Sequence, residues 1–449
     1  NGSFSEWYPK ENSFVATSFS TYAISETLLL LKDKIRNKAK IIRALEKSCN
    51  WLMNKKETTV QNQEAGSILA LFNVYLLTGN LEYRNSARRK LLSLMQKQTK
   101  EGWFYEYGGP DIGYLSLTID YLAKYYQKSK DENAFRMASR AVDFISYFIH
   151  PNLTFGGEYA SRNTEYLIPH GFEILSQRNK KAVAISNAIK ESLKNKSSIS
   201  PQSLDDRYLT YVGYTWLQAA QDAKNIQTKL ILEPFMHFKQ AGIMVVNTSN
   251  YHIILNTKKG GSFKLFFKNS NKVAYDSGLQ IQSGKNKLVS SLLSNNNVAT
   301  INNEGIIIHG SFCKIKTSPM SPLKNILLRS FQLLFGWSDF LGFLVKKVLR
   351  NKLITEAKPS EFKFSRKISF DKTIRIEDSI NKLNKVDQLI IGGKFSYNYI
   401  PSSRYFQPSE LNSTQIKLTK SNLINKAGFI REYDSKGNLA FATKPLYRK

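Results

Sequence analysis

The sequence has few of the residues that build metal sites and disulfide frameworks. Only two of its 449 residues are cysteines, Cys49 and Cys313, and they lie far apart in different predicted elements. This spacing gives no support for a zinc site and argues against a disulfide framework. The five histidines form no HxH or HExxH pair, so a metal would have to be assembled from distant positions. We therefore predict no cofactor and leave open only a structural divalent metal.

Acidic residues and long apolar runs are also scarce. The chain carries 65 Lys and Arg against 35 Asp and Glu, a formal net charge of +30. Unless it reflects compositional drift, this excess predicts affinity for a polyanion: an acidic polysaccharide, a nucleic acid or an anionic membrane face. The basic residues form no Arg-rich or Gly-rich module, so we expect no specific nucleic-acid partner. The longest apolar stretch, 326–349, contains Arg329, Asp339 and Lys346, and no segment qualifies as a membrane-spanning helix.

The spacing of apolar residues divides the chain into two parts. Up to about residue 230, apolar residues recur at helical intervals, as in Leu115, Ile119 and Leu122. Short loops separate these segments, and hairpins of helices that repeat at roughly 50 residues would wrap into a toroid or part of one. We expect an incomplete α/α toroid domain over 1–230. Its helices are predicted near 14–32, 37–54, 61–78, 82–99, 114–128, 132–149, 165–177, 180–195 and 204–224.

After Glu233 and Pro234, short β-branched runs dominate and are separated by Asn, Gly and Ser turns. This texture predicts an antiparallel β-sandwich over 231–449. One segment, about 322–353, instead resembles a basic amphipathic helix pair. It either packs on the sandwich as an insertion or makes a peripheral contact with a membrane.

Three loops combine glycine, aromatic residues and a carboxylate, at 2–8, 102–107 and 155–159. Exposed aromatic rings stack on the faces of sugars, while carboxylates and amides beside them bind hydroxyl groups. The loops therefore predict a carbohydrate cleft. The alternative is that each aromatic residue closes the end of its own hairpin. The predicted substrate-binding residues of these loops are Trp7, Tyr8, Trp103, Tyr105 and Glu106.

Four stretches together resemble the heparinase II/III-like family of polysaccharide lyases, and the similarity covers nearly the whole chain. They read QNQEAG at 61–66, YEYGGPDIGY at 105–114, GEYASRNTEYLIPHG at 157–171 and HIILNTKKGGSFKLFF at 252–267. The resemblance implies an α/α toroid followed by a β-sandwich, an active site between them, and cleavage of uronate-containing polysaccharides by β-elimination. That reaction needs a group that neutralises the uronate carboxylate, and a base and an acid at C5 and the leaving oxygen.

The resemblance assigns catalytic roles by position. Asn62 matches the carboxylate-binding Asn of the family, and Tyr114 stands where its catalytic Tyr follows a Gly-rich acidic loop. A tyrosine acts as a base only if its pKa falls well below about 10, and Arg162 could supply the positive charge that this requires. Structural alternatives stay open: Asn62 as a helix cap, and Tyr114 as an aromatic residue that closes the core.

The sequence departs from the family at its histidines. Gln63 stands where a His commonly follows the neutralising Asn, and 256–262 lacks the HxH-like turn of the sandwich. The remaining candidates are His170 and His252, of which His252, like most single histidines in a strand, is better explained as a satisfied sheet residue.

Other polar residues could contribute to substrate binding. Lys258 and Lys259 could neutralise a carboxylate, and with Arg162 they should converge on the cleft between the domains if the positive charge serves an acidic substrate. Asn163, Glu165 and Tyr166 could bind substrate or form a buried network that braces the toroid.

We therefore predict a protein that binds an acidic polysaccharide and cleaves it by elimination. Because the sequence begins at Asn1 inside a loop, we expect a processed chain or fragment, and the substrate favours the cell envelope or periplasm. One alternative is a non-catalytic glycan-binding protein of bacterial polysaccharide assembly. Another is a glycoside hydrolase with a carboxylate pair in the same cleft, drawn from Glu6, Glu106, Asp111, Glu158 and Glu165.

Overall fold

The computed structural model describes residues 1–6, 11–198, 200–204, 206–302, 304–315, 321–336, 338–350, 358–371, 373–392 and 415–445. Helices fill the first part of the chain, in the segments where helical spacing predicted them. They are α1 (Phe14–Leu31), α2 (Lys38–Met53), α3 (Gln61–Thr78), α4 (Leu81–Lys97), α5 (Ile112–Ser129), α6 (Glu132–Ile145), α7 (His170–Leu175), α8 (Lys180–Asn195) and α9 (Asp206–Asp222).

Polar side chains fix where several of these helices begin. In α1, α4, α5, α6 and α8, a side-chain oxygen of the preceding residue accepts a hydrogen bond from a backbone N–H of the first turn, as N-caps do. These residues are Ser13, Asn80, Asp111, Asp131 and Asn179. The helices α3 and α5 pack against each other and lie at the centre of the helical domain, since most of their residues are buried.

The first helix differs from the sequence expectation about membrane spans. By length and composition alone, α1 could cross a membrane. In this structure it packs against α2 and α3, and its buried face carries Thr17, Thr21 and Tyr22. The expectation that no segment qualifies is therefore wrong for α1. One-third of α1 is buried within the protein, and Leu30 near its end is 60% exposed.

Antiparallel strands fill the second part. The strands β1 (Phe235–Phe238), β2 (Ile243–Asn247), β3 (Tyr251–Asn256), β4 (Ser262–Phe267) and β5 (Val273–Asp276) form one sheet in sequence order. A second sheet has the order β13-β12-β6-β7-β9-β10-β11-β14-β15, with β8 added on β9. Its strands are β6 (Leu279–Ser283), β7 (Asn286–Val289), β8 (Val298–Asn302), β9 (Gly305–Lys314), β10 (Pro359–Phe370), β11 (Ile374–Ile380), β12 (Gln388–Ile391), β13 (Ile416–Thr419), β14 (Lys426–Tyr433) and β15 (Leu439–Pro445).

The first sheet lies between the helices and the second sheet. Ile243 and Val245 join the core of the helical domain, whereas Met244 and Leu255 join the core of the sandwich. Successive residues of a strand point to opposite faces, so alternate positions can serve the two cores. The fold is thus an incomplete helical toroid followed by a β-sandwich, as predicted. The last helix of the helical domain, α9, ends at Asp222, and the first strand begins at Phe235. Residue 230 lies between them.

Four buried charges join the two sheets. Asp276 of β5 lies 2.6 Å from Arg431 of β14 and 3.3 Å from Arg366 of β10. Asp378 of β11 completes the cluster, at 2.6 Å from Arg366 and 3.0 Å from Arg431. Each charge therefore has two partners of opposite sign, which offsets the large cost of removing it from water.

Two helices occupy the predicted insertion between β9 and β10. These are α10 (Pro322–Phe335) and α11 (Asp339–Arg350), while 351–353 lie outside the described residues. A short helix, α12 (Lys420–Leu423), follows β13.

Candidate active site

The start of α3 is held by a carboxyl group from a neighbouring loop. Glu106 accepts the backbone N–H of Asn62 at 2.8 Å through Oε1 and its side-chain Nδ2–H at 3.0 Å through Oε2. Val60, the residue before α3, has no side-chain acceptor that could cap the helix. The carboxyl group of Glu106, which comes from another loop, therefore accepts a backbone N–H of the first turn. Asn62 is 4% exposed. The amide that was predicted to bind a substrate carboxylate therefore binds a carboxyl group of the protein.

A second buried carboxyl group lies near Glu106. Asp111 caps α5, where its Oδ1 accepts the backbone N–H of Tyr114 at 3.0 Å and the hydroxyl of Thr164 at 2.5 Å. Burial raises the pKa of Asp111 to about 6 in spite of these donors. Burial also raises the pKa of Glu106 well above its usual range, and the charge of Asp111 adds to that rise. Both environments favour the neutral acid.

Three partly exposed tyrosines lie near these buried carboxyl groups: Tyr107, Tyr114 and Tyr166. We call them the tyrosine patch. The rings of Tyr107 and Tyr114 lie 6.3 Å apart. The guanidinium carbon of Arg162 lies 4.1 Å from the centroid of the Tyr107 ring. Tyr166 lies against Gly113, where an added Cβ would be 3.1 Å from its ring. The patch therefore consists of partly exposed aromatic residues beside a cation that is only 1% exposed.

The patch lies where the sandwich meets the helical domain. Leu293, in the loop after β7, faces Gly109, because a Cβ there would lie 3.0 Å from its side chain. Burial lowers the pKa of Arg162, and the nearby oxygens of Tyr107 and Tyr114 oppose this change, as do those of both carboxyl groups. The side chain of Asn62 bonds to Glu106, and the backbone N–H of Tyr114 bonds to Asp111. The charge of Arg162 interacts with both carboxyl groups. The joint catalytic role of Asn62 and Tyr114 remains a prediction.

Two lysines of the sandwich reach into the same loop of the helical domain. Lys259 bonds to Glu158 Oε1 at 3.1 Å, to the carbonyl oxygen of Ala160 at 3.0 Å and to that of Glu158. Lys264 of β4 lies 2.5 Å from Glu165 Oε1. All four charged side chains are buried, so they form a buried electrostatic junction between the two domains. Their charges are balanced by protein carboxylates.

Lys264 was not identified from the sequence. It lies beside Gly157, whose φ of +134° and contact with the lysine side chain leave no room for a Cβ. A single lysine inside the run 263–267, which is otherwise aromatic and aliphatic, could have indicated a buried ion pair. Lys258, by contrast, donates to the carbonyl oxygen of Gln240 at 2.8 Å, so only Lys259 of the predicted pair joins the junction.

The two candidate histidines have partners of their own. His252 is 1% exposed, with Nδ1 3.3 Å from Asn247 Oδ1, and burial lowers its pKa to about 3. His170 begins α7, and its Nε2 lies 2.7 Å from Asp222 of α9. These contacts suit a sheet residue and a helix brace respectively. A catalytic role for either histidine remains a prediction.

The predicted aromatic binding residues are placed differently from one another. Trp103 is 1% exposed, and its indole N–H donates to Glu101 at 2.8 Å. Tyr105 is 46% exposed, with its ring 4.7 Å from that of Trp103. Trp103 thus occupies a core position, the alternative weighed for these loops, whereas Tyr105 faces solvent. Trp7 and Tyr8 lie outside the described residues.

The 163–170 run is mostly buried. Asn163 is 2% exposed and Glu165 is 1% exposed, while Tyr166 belongs to the tyrosine patch.

Within the described residues, no group of three or more His, Cys, Asp or Glu could hold a metal ion. A surface cavity of about 300 Å³ lies on the sandwich, lined by Ser283, Asn286, Leu288, Lys314 and 358–362.

The fold, a helical toroid followed by a β-sandwich, is the fold of solved polysaccharide lyases. The chain is similar to the crystal structure of heparinase III, with a TM-score of 0.50 and 11% identity over 96% of this chain and 66% of that one. It is also similar to the chondroitin AC lyase of Streptomyces coelicolor A3 in complex with chondroitin sulphate. There the TM-score is 0.53 and the identity 10%, over 86% of this chain and 56% of that one.

These likenesses confirm the predicted fold. No family model matches the sequence, and no curated protein matches it either. At about one identical residue in ten, the structural likeness concerns the fold. The chain also spans only 66% and 56% of the length of the two lyases.

Proposed function

We propose that this chain binds an acidic, uronate-containing polysaccharide over the tyrosine patch and cleaves it by β-elimination, with Tyr114 as the residue that transfers the proton. One observation carries the proposal: Tyr114 is partly exposed at the junction of the domains, close to the buried guanidinium of Arg162. A nearby cation favours the phenolate form of a tyrosine and so makes it a better base. The fold shared with two lyases supports the same reaction class.

The proposed reaction moves one proton and one electron pair. The Tyr114 phenolate removes the C5 proton of the uronate, a C4–C5 double bond forms, and the bond from C4 to the glycosidic oxygen breaks. The leaving oxygen must then gain a proton, and the phenol formed in the first step can supply it if it lies between the two atoms. Arg162 stabilises the phenolate at the start of the cycle, and again once the phenol has given its proton to the leaving oxygen.

The uronate carboxylate also needs a partner. The side-chain N–H of Asn62 is engaged by Glu106, so we assign this role to Arg162, whose planar guanidinium suits bidentate binding of a carboxylate. The ring of Tyr107 covers Arg162 and would have to rotate when substrate binds. Tyr107 therefore acts as a cover in this proposal.

A second candidate function is glycan binding without cleavage. It is favoured by the bond between Asn62 and Glu106, because that bond occupies the amide expected to neutralise the substrate.

The hydrolase alternative is less well supported. Glu106 and Asp111 are both fully buried, and a hydrolase needs one carboxyl group at the leaving oxygen and another at water or the sugar.

The test is to incubate the chain with a panel of uronate polysaccharides and follow ultraviolet absorbance of the unsaturated product. Elimination creates this chromophore, whereas hydrolysis releases reducing ends without it. Tyr114→Phe should lower the rate by a factor on the order of 100 or more, because general acid and base catalysis contributes that much. Tyr75→Phe is the control, since Tyr75 is also partly exposed but lies in the last turns of α3, against Phe72.

Affinity for the same polysaccharides separates the two candidates. Glycan binding that survives in both variants, with neither chromophore nor reducing ends from the unmodified chain, would establish the binding function and reject the lyase. Equal rates for Tyr114→Phe and the unmodified chain would reject Tyr114 as the catalytic residue.

A further inference from the structure

The insertion α10–α11 exposes an unusual amount of apolar surface. None of the residues of α10 is buried. Leu323, Ile326 and Leu327 are 62% to 66% exposed, and Leu333 of the same helix is 83% exposed. On α11, Phe340 is 72% exposed and Val348 is 53% exposed. Proteins seldom present large apolar patches to water unless the patch meets a partner.

These side chains form a continuous face on α10. Leu323, Ile326 and Leu327 are separated by three and four residues, and Leu334 returns to the same side two turns further on. Helices usually turn such a face toward the protein core. Here the face points away from the core, because Leu334 is 64% exposed and the rest of the stripe is equally accessible.

The segment carries a net positive charge. Lys324 and Arg329 lie on α10, and the sequence of 339–350 adds Lys346, Lys347 and Arg350 against the single acidic residue Asp339. An apolar face combined with Lys and Arg is typical of helices that lie in the interface of a membrane with anionic lipids.

The charge distinguishes a membrane from a second copy of the chain. Two copies would bring together surfaces of the same sign on a protein of net charge +30, and they would repel each other. An anionic bilayer attracts the lysines and arginines and also accepts the leucines. Charge complementarity therefore favours the bilayer.

We propose that α10 and α11 form a docking element that lies flat on an anionic membrane surface. The leucine face enters the boundary between head groups and acyl chains, and the basic side chains bind lipid phosphates. The element would hold the enzyme or binding protein beside a polysaccharide that is handled at a membrane. This inference goes beyond the proposed activity and does not depend on it.

The experiment uses the full chain and vesicles of phosphatidylcholine, alone or with about one-quarter phosphatidylglycerol. Co-sedimentation should show binding to the anionic vesicles, much weaker binding to the neutral ones, and loss of binding as salt rises. The triple variant Leu323→Asn, Leu327→Asn, Leu334→Asn should bind at least about tenfold more weakly, because three apolar side chains no longer enter the bilayer. Lys324→Gln with Arg329→Gln should reduce binding to anionic vesicles only.

The matched control replaces three equally exposed apolar residues outside the insertion: Leu217→Asn, Ile231→Asn and Val298→Asn. This variant should bind vesicles as the unmodified chain does, and circular dichroism should show that both triple variants remain folded. Equal loss in both triple variants would overturn the proposal, as would no vesicle binding by the unmodified chain. Light scattering tests the rival: a dimer that the leucine variant abolishes, without vesicle binding, would make a second copy the partner.

Discussion

The buried carboxyl group of Asp111 predicts a specific dependence of stability on pH. Burial raises its pKa from 3.8 to about 6. The unfolded chain therefore loses this proton at lower pH than the folded chain does. The stabilisation that the protonated group provides is present below the unfolded pKa and is lost as pH rises through the folded one. A difference of about two pKa units corresponds to about 3 kcal/mol.

The perturbation is Asp111→Asn. Asparagine caps helices as well as aspartate does, and its Oδ1 can still accept the N–H of Tyr114. The amide group does not titrate, so its contribution to the free energy of unfolding is the same at every pH. The loss of unfolding free energy between about pH 4 and about pH 8 should therefore be smaller in the variant by about 2 kcal/mol, less than the full difference because pH 4 lies just above the unfolded pKa of 3.8. Constant effects of the substitution cancel in this difference.

The assay is urea denaturation followed by far-ultraviolet circular dichroism, which reports mainly on the helical domain. Both proteins are measured at both pH values, and the cycle of four free energies gives the contribution of Asp111. The helical transition is analysed separately from that of the sandwich, because a protein of this size need not unfold in one step. If the variant and the unmodified chain show the same pH dependence, Asp111 is not the buried titrating acid described here.

Two further predictions concern the cores. Trp103→Ala should lower the free energy of unfolding by about 3 to 5 kcal/mol, because the indole is buried. Thermal unfolding measures this loss. Unchanged stability together with lost glycan affinity would instead support the predicted contact of Trp103 with substrate. Asp378→Ala should cost about 3 to 5 kcal/mol, because it leaves Arg366 and Arg431 to share one carboxylate. Denaturation of the sandwich checks this, and a loss no larger than that of the exposed control Asp387→Ala would contradict it.

The fold could be predicted because its signals are local. The spacing of Leu115, Ile119 and Leu122 is a property of a few turns of chain, and α5 forms where that spacing occurs. The turns between β strands are equally local, since Asn, Gly and Ser favour them for their own backbone preferences. The resemblance to the lyase family then supplied the arrangement of the two domains.

The site could be predicted only in part, because composition does not show which way a side chain points. Trp103 and Tyr105 lie two residues apart in one loop, yet one is buried and the other is exposed. Glu106 was predicted to bind substrate, but it caps α3, and that contact joins residues 44 apart in sequence. Tyr107 was part of a quoted motif without a role, and its position over Arg162 becomes visible only in three dimensions.

The four buried charges between the sheets also act as a check on strand alignment. Arg366 stands directly opposite Asp378 in the pairing of β10 with β11, and Arg431 stands opposite Ile376 in the pairing of β11 with β14. A slip of β10 by one residue would turn Arg366 to the other face of the sheet and leave the two aspartates with one arginine. The same slip would also turn the core side chains Phe364 and Ile368 away from the sandwich core, so the buried charges add to the specificity that the apolar pattern already gives. The register that pairs all four charges is therefore favoured over a register shifted by one residue.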